Sequence, residues 1–190
     1  MTESDLANRT KLAAIAIVIK ASHLTRSIIN QVRETHDVSQ AYEAEFAYEA
    51  LVFLLHLADR EAFDALGHEG RCAYMDRLVL ETAQYATSDC SGATEDYIIQ
   101  FQQVRGGYYK FRTLADTYDH IRILCDRRSK DFSTFSILGD GSLLPLFWEF
   151  GRHTLNILGH PGDPELCLYI HFTVAAIYID LAKSLNLRLS

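Results

Sequence analysis

The chain has 190 residues, 48 % of them hydrophobic and 23 % charged, a composition that places it among ordinary globular proteins and excludes disorder. One domain over residues 1–190 is the expected organisation, and a chain of this length buries enough surface to stay folded without disulfide or metal. The formal net charge of −7 and the scattered Lys and Arg residues argue against a nucleic-acid surface; the one basic cluster, Arg127-Arg128-Ser129-Lys130, reads as a solvated turn.

Met1 to Lys11 is polar and lacks a charged stretch followed by an apolar one, so it does not read as a secretory signal and the expected location is cytoplasmic. Cys72, Cys90, Cys125 and Cys167 form no Cys-x-x-Cys pair and read as small buried residues in a reducing compartment. Only three prolines occur and almost no segment alternates apolar with polar residues. The fold class is therefore all-α, a single-domain bundle of about six or seven helices.

The first helix runs from about Leu6 to Arg33, with Ala14, Ala21, Leu24, Ile28 and Val32 on one face. After the polar break at Glu34 to Ser39, a second helix over Ala41–Leu66 is expected, capped by Ser39 and ended by Gly67 in a left-handed position. A third spans about Glu69 to Ala86 and stops at the turn-forming run Thr87–Gly92. Tyr97, Phe101, Val104, Tyr108, Phe111, Ala115 and Tyr118 keep helical phase through Gly106-Gly107, which predicts a glycine-kinked helix or two nearly coaxial ones. Asp126 to Gly141 reads as irregular. Ser142 is the expected cap of a helix with Pro145 in its first turn, and Asp163 with Pro164 announces a final helix to about Leu187. That helix is apolar on nearly all sides. His171 and Asp180 argue against a membrane span, so it is expected to sit centrally or at a subunit interface, making a homo-oligomer through this helix the expected assembly.

Chemistry has one conspicuous place to reside. On the second helix Glu45, Glu49, His56 and Arg60 fall within roughly a 60° arc, while apolar residues cover most of the rest of the circumference. With Asp59 these are the candidate ligand-binding residues, Arg60 taking an anionic group and His56 or Glu49 orienting it. The plainer reading is a thin line of solvent contact in which Arg60 pairs with Glu45 or Asp59. Glu49 and His56 stand about 10 Å apart along the helix, too far to share one metal ion, and no Glu-x-x-His occurs, so neither a metal nor a cofactor is expected.

Asp116 with His120, and Glu149 with His153, have one-turn spacing and read as exposed helix pairs. His171 reads as a hydrogen-bonded core residue, and Trp148 with Phe147 and Phe150 as packing. There is no Gly-x-Ser-x-Gly elbow, and Gly139-Asp140-Gly141 lacks the third glycine of a nucleotide loop. Two functions remain: a non-enzymatic interaction or assembly module with a protein partner, and a small-ligand-binding or metal-dependent enzyme built on the stripe.

Overall fold

The computed structural model describes residues 3–87, 114–133, 143–185 and 187, and every regular element among them is an α-helix. There are five: α1 (Glu3–Arg33), α2 (Gln40–Ala86), α3 (Leu114–Ser133), α4 (Leu144–Ile157) and α5 (Pro164–Leu185). The count falls short of the six or seven expected. The two helices expected on either side of Gly67 form one element with a break inside it, and the Tyr97–Phe111 segment lies outside the described residues, as do Cys90 and the Gly139–Ser142 turn.

The cap signals act as their chemistry requires. Ser39 accepts a hydrogen bond from the Tyr42 backbone N–H at the start of α2, and Asp163 Oδ1 accepts from the N–H groups of Glu165 and Leu166 at 3.0 Å each, at the start of α5. At α4 the residue before the helix is Leu143, which supplies no side-chain cap, while Pro145 sits in the first turn. Asp126 to Ser133, expected to be irregular, continues α3 as helix. The charges Arg127 and Arg128 thus belong to a helix and not to a turn.

Gly67 organises the molecule. Its φ of 67° and ψ of −176° interrupt α2 in a region of backbone space that is almost reserved for glycine. Asp59 and Arg71 are 12 residues apart, which would separate them by about 18 Å on a straight helix, yet their side chains are in contact at 2.6 Å. The halves of α2 therefore double back on each other, and Val52 and Val79 line the same cavity.

The first half of α2 is the buried centre, with Phe46, Tyr48, Leu51, Phe53, Leu54 and Leu57 all at most 1 % exposed. α2 as a whole touches each of the other described helices. On one side lies α1; α5 runs antiparallel to α1, as shown by Ser27 Oγ meeting Tyr169 Oη at 2.9 Å and by the Lys20–Asp180 ion pair. Tyr178 donates from α5 to Glu61 of α2. α4 and α5 approach closely at Gly151, where a side-chain Cβ would stand 3.1 Å from both the carbonyl oxygen and Sγ of Cys167. Phe53 stacks on Phe150 at 4.0 Å between ring centroids, tying α4 to the centre.

Among the described residues two helices, α1 and α5, are long and apolar enough to cross a membrane. In α1 that stretch is 56 % buried against the rest of the protein, whereas in α5 it is 28 % buried. The outer side of α5 is open.

Candidate functional site

The stripe on α2 does not form one site. Glu45 is exposed. Glu49, one turn later, is 3 % exposed, and its carboxylate meets Arg128 of α3 through Nε–Oε2 at 2.9 Å and Nη2–Oε1 at 2.7 Å, the two-pronged geometry that suits guanidinium and carboxylate. His153 Nε2 of α4 stands 3.4 Å from Glu49 Oε2. Burial pushes the Glu49 carboxyl up, but the contacts from His153 and Arg128 outweigh it and hold the group at about 2. Three helices are thus joined through one carboxylate.

This arrangement corrects several expectations. Arg128 is drawn into the protein by the buried carboxylate, its side chain 16 % exposed. His153 pairs with Glu49 and not with Glu149, which binds Arg152 at 3.0 Å. His120 is half-buried and sets its ring edge-on to Tyr48, 4.8 Å between centroids; burial lowers its pKa against the opposing pull of Glu49. His171 lies among rings, 6.1 Å from Phe147 and 6.2 Å from Trp148, and its Nδ1 has no hydrogen-bond partner among the described residues. Trp148 itself is 39 % exposed. Cys72 is exposed while Cys167 is buried.

Two turns beyond Glu49 the stripe borders a cavity of about 330 Å³, partly open to solvent and lined by both halves of α2 and by α3. Its apolar wall is Val52, Leu55, Met75 and Val79; its polar groups are His56, Asp59, Arg71, Asp126 and Arg128. Arg60 is half-buried and does not line it. Asp59 pairs with Arg71 and not with Arg60, the carboxylate accepting from Nε and Nη2 at 2.6 Å each. Burial, followed by the positive charge of Arg60, lowers His56 to about 4 and leaves it neutral at physiological pH. Cys125 also borders the space. Burial and neighbouring carboxylates push its thiol to about 12, so it is not a thiolate nucleophile. Among the described residues no group of three or more His, Cys, Asp or Glu side chains is placed to hold a metal ion.

Of the five predicted residues, the cavity therefore collects His56 and Asp59, Glu49 stands behind it through Arg128, and Glu45 and Arg60 fall away. Sequence reasoning missed Arg71, Cys125, Asp126 and Arg128 as lining residues. A signal for Arg71 was present, since a helix stop at Gly67 folds the following turn back toward Asp59. Arg128 carried no such signal. Compared with family models, with curated proteins and with solved structures, the chain matches none.

Proposed function

We propose that this protein binds a small, uncharged and mostly apolar molecule in the cavity between the two halves of α2 and α3. The observation that carries the reading is the combination of an apolar wall with a few polar groups, from both halves of α2 and from α3, around a space of about 330 Å³, a size within the range of small-molecule sites. The cations at the rim are already matched: Arg71 is held by Asp59 and Arg128 by Glu49. An anionic ligand would have to displace a carboxylate from a two-pronged pair, whereas a neutral ligand with one hydroxyl or carbonyl leaves both pairs intact. His56, neutral there, lines the space with an imidazole that can meet a hydroxyl or a carbonyl without burying a charge. The wall offers binding chemistry without an activated nucleophile, which favours recognition over turnover.

The test is a thermal-shift screen with small neutral alcohols, ketones and amides set beside matched carboxylates. Neutral compounds should raise Tm through preferential binding to the folded state, and Val79→Phe, which fills the apolar wall, should abolish the shift while helical content is unchanged. A panel that gives no shift, or a shift that survives Val79→Phe, overturns the reading. The interaction-module reading attaches to a different face, the outer side of α5.

A further inference from the structure

The outer side of α5 carries a row spaced by three and four residues: Glu165, Leu168, Phe172, Ala176, Ile179 and Lys183, all exposed. Leu168, Phe172 and Ile179 are 46 %, 63 % and 58 % exposed, unusual for large apolar side chains aligned on one helix face. The row is self-complementary when reversed. Turned end for end about the level of Val174, it sets Glu165 against Lys183, Leu168 against Ile179, and the large Phe172 against the small Ala176. A parallel pairing would instead bring Glu165 to Glu165 and Lys183 to Lys183.

We propose that this face docks on the same face of a second copy of the chain, the two α5 helices antiparallel across a two-fold axis that crosses the outer face at the level of Val174. Charge complementarity selects the occupant: each end of the row carries the charge that the other end requires, so one patch satisfies itself twice in an isologous interface. The neighbouring groups agree with this assignment. Asp180, which flanks the row, is tied to Lys20 of its own chain and does not interrupt the charge pattern. Trp148, edge-on to His171, whose ring in turn meets Phe172, widens the apolar strip together with Leu144, one turn before it on α4 and 58 % exposed. Aromatic anchors of this kind, set within a polar rim, are what protein interfaces favour.

Sedimentation velocity on the full chain at micromolar concentration, in lipid-free buffer, decides the matter. The chain should sediment as a dimer, and Phe172→Glu should convert it to a monomer with unchanged helical content. Glu165→Lys and Lys183→Glu should each weaken self-association, by roughly tenfold, because each places like charges at both ends. Mixing these two variants should restore dimers, since every Lys then meets a Glu. A monomeric wild type, a dimer that tolerates Phe172→Glu, or a mixture that fails to recover overturns the proposal. A wild type that is monomeric in buffer but floats with neutral phosphatidylcholine vesicles overturns it in favour of a lipid surface as the occupant.

Discussion

Glu49 and His56 stand two turns apart on the same face of one helix, and the protein treats them in opposite ways. At Glu49 three helices close in, Arg128 and His153 supply the compensating contacts, and the carboxylate stays ionised while buried. At His56 the second half of α2 supplies Val79, Met75 and Arg71 at a distance, a cavity remains, and the imidazole is kept neutral. A buried charge persists where its contacts outweigh desolvation, as at Glu49; at His56 burial and the positive charge of Arg60 outweigh the opposing pull of Asp59, and the group gives up its charge. One stripe thus yields a structural clamp at one end and an open pocket at the other.

The largest way to break the contrast is to remove the clamp. Glu49→Ala leaves Arg128 and His153 without their carboxylate and should cost about 3–5 kcal/mol, read from urea denaturation. Replacing the pair together, as Glu49→Leu with Arg128→Met, should cost much less, because no orphaned charge remains.

Acid should separate the two ends by pH. His56, held below its ordinary value, takes up its proton in the unfolded chain before it does so in the folded one, so stability falls as pH drops from 6.5 toward 4. Glu49, also held low, contributes stability that is complete above the ordinary carboxylate range and is lost as pH falls toward 2. Each phase amounts to about 3 kcal/mol at most. In a pH series of denaturation midpoints, His56→Gln should shrink the upper phase, to which His120 and His23, also lowered by burial, contribute the remainder, and leave the lower one. A variant that flattened both would show that the two groups titrate as one system.

The fold-back that makes the cavity depends on Gly67. Nothing lies within 4 Å of where a Cβ would be added there, so Gly67→Ala is opposed by backbone strain alone and should cost about 1–3 kcal/mol. It should also loosen the cavity more than the clamp, visible as faster amide exchange in residues 68–86 than around Glu49. The smallest effect belongs to Glu45→Ala, an exposed substitution expected within about 0.5 kcal/mol of wild type in the same denaturation experiment.

Much of this was readable before any coordinates. Ser39, Asp163 and Pro164 marked helix starts because their side chains can do locally what the first turn of a helix needs, and Gly67 marked the break because few other residues tolerate its backbone angles. The continuation of α3 through Asp126–Ser133 was not readable. There the segment is rich in charges whose helical role is set by a partner on α2, as Arg128 shows. The same limit explains His153, which looked like half of an exposed pair with Glu149 until α4 was laid against Glu49.

What the sequence by itself determined is the helical class, most helix starts, the break at Gly67 and the alignment of Glu45, Glu49, His56 and Arg60 on one face, since each depends on periodicity or on chemistry within a few residues. Only the tertiary structure decided which of those groups is clamped, which borders a cavity and which meets water. That choice depends on side chains such as Arg128, 79 positions from Glu49, and separations of that length leave no periodic trace in a chain; they become contacts only when helices pack.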